Sequence, residues 1–287
     1  MKNKLQLNLD KIEVCYTASP EVIEDLKDTR YRELEGFRFF TTEDKGTKES
    51  HYQIDIQLPN ADGVLDWVRF GTMKIGCTFD KEEEAPTYIW IRIDNRMLYT
   101  PIYPDTPTAT YLYFIADSLN LIYNNITKVD LAIDGNLNYF SRIKKAVRDM
   151  ELTPIVLGTA YPEKKEIIKK LLYIHTADRT RYRTGTISIS SSEKDFSLSV
   201  YNKSEEITES GKDYIREWTS LNDTIHRVEV RLKRTALKDY LSSKGNTFED
   251  LYCNLFDKET QFALFSYFSD KLLRFRSGRN IISILEL

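Results

Sequence analysis

Three stretches of the chain carry side chains that could handle a phosphate: Lys128 to Asp134, Phe196 to Glu206 and His226 to Lys233. Read as strands, their alternation sorts the side chains onto two faces. Val129, Leu131 and Ile133, then Leu198 and Val200, then Val228, Val230 and Leu232 make one apolar face. The other carries Asp130 and Asp134, then Ser197, Ser199, Tyr201 and Lys203, then Arg227, Glu229, Arg231 and Lys233. Small hydroxyl residues allow a phosphodiester backbone to lie close, and Arg and Lys neutralise its charge. Carboxylates would repel it unless they hold a divalent cation, whose preference for oxygen ligands they match. Asp130 and Glu229 are the first choices for such ligands, with Asp134 beside them and Mg²⁺ or Mn²⁺ as the ion. The plain alternative is a solvated face on which Asp and Glu pair with neighbouring Arg and Lys.

A phenol on that face could be a nucleophile, but its ordinary pKa of about 10 demands a nearby cation or base. Lys203, Arg227 and the metal ion could supply that field to Tyr201. With 18 tyrosines in the chain, alternation alone does not separate Tyr201 from Tyr173 and Tyr182, which are candidates for a second nucleophile or for base stacking.

Positive charge is concentrated between Tyr139 and Arg183, where eleven basic side chains face five acidic ones although the whole chain carries −3. Lys164, Lys165, Lys169, Lys170, Arg181 and Arg183 are interleaved there with aromatics, a mixture suited to phosphates and stacked bases, or else a pair of solvated helix faces.

The elements that must position these groups follow from pattern and punctuation. In the first half, strands are expected over Lys11 to Tyr16, His51 to Leu58 and Tyr88 to Ile93. A helix from Pro20 to about Asp28 is capped by Ser19, and another runs from Ala109 to Tyr123. Lys81 to Pro86 reads as an acidic turn. In the second half come a strand from Thr127 to Asp134, a helix capped by Ser141 and running to about Glu151, and a helix from Tyr161-Pro162 to Leu172. A hairpin of Thr186 to Ser190 and Phe196 to Tyr201 follows, then a strand from Thr224 to Lys233. The chain closes with a helix from Thr235 to Ser243 ended by Gly245, and a helical region from Thr247 to Arg274 broken near Asp257. No GxGxxG or GxxxxGK[ST] occurs, so nucleotide folds are not indicated. The expected fold is α+β: a curved, largely antiparallel sheet with helices packed on one face, with a hint of two similar β-α-β-β halves. Residues 1–125 form an N-terminal α+β half and 126–287 the half that carries the chemistry.

Hydrophobic content of 41 % is enough for a full core, and no apolar run approaches a membrane span. The start, Met1-Lys2-Asn3-Lys4, leads into an alternating Leu/Gln segment instead of an apolar signal core, which places the protein in the cytoplasm. Three widely spaced cysteines suggest neither a disulfide framework nor a zinc site.

The segments Lys128-Val129-Asp130-Leu131-Ala132-Ile133-Asp134, Phe196-Ser197-Leu198-Ser199-Val200-Tyr201-Asn202-Lys203-Ser204-Glu205-Glu206 and His226-Arg227-Val228-Glu229-Val230-Arg231-Leu232-Lys233 occur in that order with helices between. Together they resemble the Rep_trans-type replication initiation factors, which include rolling-circle plasmid and phage initiators and related conjugative relaxases. The match covers roughly residues 126–245. The resemblance implies an endonuclease and strand transferase that nicks one strand of single-stranded or supercoiled origin DNA. Its tyrosine becomes linked to the 5′ phosphate and the 3′ hydroxyl is left free for priming. By position in the Tyr-Asn-Lys motif the nucleophile maps to Tyr201, and the family's strand acids map to Asp130 and Glu229. The chain departs from His-x-His nickases, since His51, His175 and His226 include no such pair. It also lacks an obvious separate origin-binding tail. A helicase and a second copy of the chain are further candidate partners. The competing readings are a non-catalytic DNA-binding protein of a mobile element and a sheet-based protein-interaction module.

Overall fold

The computed structural model describes residues 5–42, 50–60, 62–77, 87–99, 108–148, 151–160, 186–191, 195–219 and 224–287. The fold is mixed α+β with a large antiparallel sheet, and the chain divides into two compact units. One unit holds residues 1–10, 130–246 and 253–287; the other holds 11–129 and 247–252. Strands β1 (Leu5–Thr17) and β7 (Ile122–Gly135) each contribute one end to each unit.

In the first unit the strand order is β10 (Ile187–Ser191), β11 (Phe196–Asn202), β12 (His226–Lys233), then the ends of β7 and β1. The pattern that predicts the hairpin is obeyed residue by residue: Ile187, Ile189, Leu198, Val200, Val228 and Val230 are all buried at 2 % exposure or less. Helices Tyr139–Arg148 and Lys258–Leu272 lie against this apolar face, where Phe196 meets Phe268 with ring centroids 5.1 Å apart. A small second sheet, β14-β13-β8-β9, joins Asn280–Ser283, Leu273–Ser277, Thr153–Val156 and Thr159–Ala160.

In the second unit β7 and β1 are followed by β6 (Thr87–Ile93), β5 (Leu65–Cys77), β4 (Ser50–Pro59), β3 (Phe37–Thr41) and β2 (Tyr31–Leu34). The register of β4 against β5 shifts between Ile54 and Asp55. Next to this bulge Gly71 faces β6 so closely that a Cβ would sit 2.2 Å from the Arg92 carbonyl oxygen, so only glycine fits there. Residues 247–252 belong to this unit because Tyr252 stacks on Tyr123 at 4.2 Å and its hydroxyl meets that of Tyr16 at 2.8 Å.

Several local expectations shift. The helix expected over Ala109 to Tyr123 spans Thr108–Ser118, because Asn120 turns the chain at φ 52° and Ile122 already opens β7. Asn138, not Ser141, caps the following helix, its side-chain oxygen accepting from the Ser141 N–H. The last helical region breaks near Asp257 as expected, into Phe248–Asn254 and Lys258–Leu272, the second capped by Asp257; Arg274, however, lies in β13, where the sequence pattern continues the helix. The acidic turn over Lys81 to Pro86 and the helix after Pro162 lie outside the described residues.

Candidate DNA-cleavage site

The polar face of β11 and β12 is where the chemistry-bearing residues gather. Ser197 pairs with Arg231, Ser199 with Glu229, and Tyr201 with Arg227. Antiparallel partners share a face, so the phenol of Tyr201 lies diagonal to Glu229. It donates a 2.7 Å hydrogen bond to Glu229 Oε2. The other carboxylate oxygen, Oε1, accepts from Arg231 Nε at 2.7 Å. That same Nε lies 3.9 Å from Asp130 Oδ2 on the neighbouring strand β7. Arg231 thus draws the carboxylates of Asp130 and Glu229 to one guanidinium. Glu229 is buried, Asp130 is nearly so, and Arg231 is 56 % exposed.

A second arginine on the same strand repeats the arrangement more deeply. Arg227 has no exposed side-chain surface; its Nε and Nη2 each lie 2.7 Å from a different oxygen of Asp134, and its Nη1 lies 2.6 Å from Asp10. Asn8 donates to Asp134 at 3.0 Å. Burial of a charge is tolerated only with such complete pairing. Asp134 is therefore committed to Arg227 and does not share Arg231 with Asp130 and Glu229. Among the described residues no group of three or more His, Cys, Asp or Glu is arranged to hold a metal ion.

The turn after β11 fixes the third component. Asn202 caps the helix Lys203–Ser210, its side chain accepting from the Ser204 N–H, so the helix begins as soon as the strand ends. Lys203 is buried and donates a 2.8 Å bond to Glu206. Its Nζ lies 5.9 Å from the Tyr201 ring centre.

These surroundings set the protonation states. Burial pushes the Tyr201 phenol well above its ordinary range; the positive charge of Arg227 works against this, while Glu229 and Glu206 add to it. Burial pulls the Lys203 ammonium down, helped by Arg227 and opposed by Asp10 and Glu206. Burial alone would raise Glu206, but its hydrogen bond and charge pairing with Lys203 outweigh that and hold it low. Burial works to lower Arg231, and its bond to Glu229 with the charges of Glu229 and Asp130 raises it instead.

Sequence reasoning missed Asn8, Asp10 and Glu206. The first two sit on the polar phase of the alternating run Leu5-Gln6-Leu7-Asn8-Leu9-Asp10, the same signal that singles out Asp130 and Glu229. The third lies three residues from Lys203 on a helix, a spacing that brings side chains together. Lys233 pairs with Asp195 at 3.0 Å. Lys164, Lys165, Lys169, Lys170, Tyr173, Arg181, Tyr182 and Arg183 lie outside the described residues.

No family model matches the chain, and no curated protein sequence does. Among solved structures the chain is similar to the rolling circle replication initiator protein from Geobacillus stearothermophilus, at 13 % identity and a TM-score of 0.46, over 96 % of this chain and 89 % of that one. No helix among the described residues is long and apolar enough to cross a membrane.

Proposed function

We propose that the chain nicks and rejoins one strand of DNA through a covalent 5′-phosphotyrosine on Tyr201, as a rolling-circle initiator or a relaxase. The observation that carries this reading is the line Tyr201–Glu229–Arg231–Asp130. It joins a phenol, a carboxylate already accepting the phenolic proton and an exposed guanidinium in one place. The Tyr201 oxygen attacks the scissile phosphorus, its proton passes to Glu229 Oε2, and the bond from phosphorus to the 3′ oxygen breaks. Water supplies the proton that completes the 3′ hydroxyl. Because one phosphodiester replaces another, the released 3′ hydroxyl can reverse the step and rejoin the strand. Arg231, the more exposed arginine, meets the phosphate; Arg227, held by Asp134 and Asp10, is a positioning residue that keeps positive charge beneath Tyr201.

Asp10 and Asp134 are engaged by Arg227 and Glu206 by Lys203, so a divalent ion would rest on the two carboxylates gathered at Arg231, Asp130 and Glu229. Mg²⁺ is commonly held by only one or two carboxylates, with water and phosphate completing its shell. Asp130 and Glu229 would hold it, with Mn²⁺ as the alternative, and when bound it would polarise the scissile phosphate as a Lewis acid. Asp134 is reserved for Arg227. Lys164, Lys165, Lys169, Lys170, Arg181 and Arg183 are proposed as contacts along the DNA backbone.

The raised pKa of the Tyr201 phenol and the burial of Glu229 favour a second reading, a mobile-element protein that binds DNA without cutting it. Incubation with supercoiled DNA and Mg²⁺ or Mn²⁺ separates the two. The nicking reading expects open circles and relaxed topoisomers that disappear in EDTA; DNA that is bound but stays supercoiled supports the second.

A further inference from the structure

We infer that the sheet face opposite the core in the second unit binds single-stranded DNA by stacking bases on Trp67, Trp90 and Phe40.

Strands β3, β4, β5 and β6 of this unit each keep one phase for the core. Phe37, Phe39, Tyr52, Ile54, Ile56, Met73, Ile75, Ile89 and Ile91 have no exposed surface. The Leu26 carbonyl of helix Pro20–Asp28 accepts from the Tyr52 hydroxyl on that side, at 2.6 Å. Phe114 of helix Thr108–Ser118 meets Phe37 there edge to face. The opposite phase is different in kind. The pairs Arg38 with Asp55, Asp55 with Arg69, Thr72 with Arg92, Lys74 with Trp90 and Gln57 with Trp67 place these side chains together on one surface. Arg69 and Arg92 are exposed, and Arg38, Phe40, Trp67, Lys74, Tyr88 and Trp90 are half-buried.

Two features of that surface point to one ligand chemistry. Cations stand over aromatic rings: Arg38 lies 4.5 Å from the Trp67 ring centre and 5.8 Å from that of Phe40, and Lys74 lies 5.3 Å from that of Trp90. Tyr88 extends the second group, 5.9 Å from Trp90. Among the described residues of this face the cations Arg38, Arg69, Lys74, Arg92 and Lys128 also outnumber the carboxylates Glu13, Glu33, Asp55 and Asp94. Asp55 engages Arg38, with Glu33 also opposite it, and Glu13 engages Lys128 and lies opposite Arg92, whereas Arg69 reaches Asp94 only at 3.7 Å. Planar hydrophobic rings flanked by cations suit a ligand that is both aromatic and polyanionic. A single strand offers that combination, because its bases are unstacked and available to the rings while its phosphates reach the Arg and Lys side chains. A duplex keeps its base faces stacked on one another and out of reach of the rings.

The chain has three tryptophans, and two of them, Trp67 and Trp90, are on this face. Replacing the third, Trp218→Phe, leaves a full-length protein whose tryptophan emission reports this surface alone. Titration with oligothymidine, in EDTA so that no cleavage intervenes, should quench that emission with the same midpoint as the anisotropy of a labelled oligonucleotide. Trp67→Ala should weaken binding about fivefold or more. Arg69→Gln with Arg92→Gln, both at exposed positions, should flatten the salt dependence by about 0.7 in slope for each phosphate no longer neutralised. Oligothymidine that binds without changing the emission would overturn the inference, as would an unaltered salt slope in the arginine variant. Tighter binding of oligouridine than of oligothymidine would reassign the face to RNA and overturn it too. The emission is read with both tryptophans in place, so the result does not depend on how Trp67→Ala folds, and its failure would leave the nicking proposal untouched.

Discussion

The hydroxyl of Tyr201 and Oε2 of Glu229 are 2.7 Å apart on neighbouring strands, with the phenol as donor. In the proposed reaction Glu229 is the acceptor of the proton that Tyr201 would lose on attacking phosphorus. It also explains why the resting phenol is protonated: burial and the adjacent carboxylate both disfavour a second negative charge, and Arg227 offsets them only in part.

Residue-specific NMR of the tyrosine ring carbons should therefore find Tyr201 still protonated near pH 10, where an exposed tyrosine is half titrated. Because the folded value is raised, the associated stability is fully present below the unfolded value and is lost as pH rises through the folded one. Glu229→Gln removes a charge that raises the phenol and should bring its titration down. A Tyr201 signal that titrates with the exposed tyrosines in the wild-type protein would contradict the burial described here.

Glu229→Gln should also abolish metal-dependent nicking while largely sparing DNA binding, since the amide neither accepts the phenolic proton as a carboxylate does nor holds a divalent ion well. Parallel filter-binding and nicking assays check this. Equal loss of binding and cleavage would mean that Glu229 acts mainly on the fold of the DNA surface.

Arg227→Met should destabilise the protein by about 3–5 kcal/mol, because Asp134 would be left buried without its cation. Urea denaturation measures the loss. Changing Asp134→Leu in the same chain should recover a substantial part of it, the coupling expected when two buried partners depend on each other.

Charge reversal at Lys164, Lys165, Lys169 and Lys170 should weaken DNA binding irrespective of sequence. It should also reduce the salt dependence, because fewer counterions leave the DNA when fewer of its phosphates are neutralised. Binding measured over a range of salt concentrations decides this. An unchanged slope would mean that these lysines do not meet the DNA.

Much of the sheet was legible because period-two alternation is strong in β4, β6, β11 and β12, and the caps at Ser19 and Gly245 leave short-range signatures. Other features depend on partners distant in sequence. Strand β5 begins at the exposed Leu65, just after the exposed Val64, and continues past the glycine at 71, so its pattern is blurred. Residues 247–252 join the second unit through Tyr252, whose partners Tyr16, Tyr113 and Tyr123 lie more than a hundred positions away. Alternation placed Asp130 and Asp134 on the same face but could not distinguish them. Only the fold shows that Asp134 is bound to Arg227 while Asp130 approaches Arg231. The role of Asp10 was hidden for the same reason, since its partner is 217 residues away.

If Tyr201 is the nucleophile, it becomes joined to the 5′ end of the cut strand. Incubating the protein with a cleavable single strand and Mn²⁺, digesting with protease and locating the nucleotide-bearing peptide by mass spectrometry reads that bond itself. A phosphodiester on Tyr201 is expected in the wild-type protein and no adduct in Tyr201→Phe, which removes only the hydroxyl and should leave folding and DNA affinity nearly intact. An adduct on Tyr173, Tyr182 or any other residue, or one that persists in the Phe variant, would contradict the assignment of Tyr201.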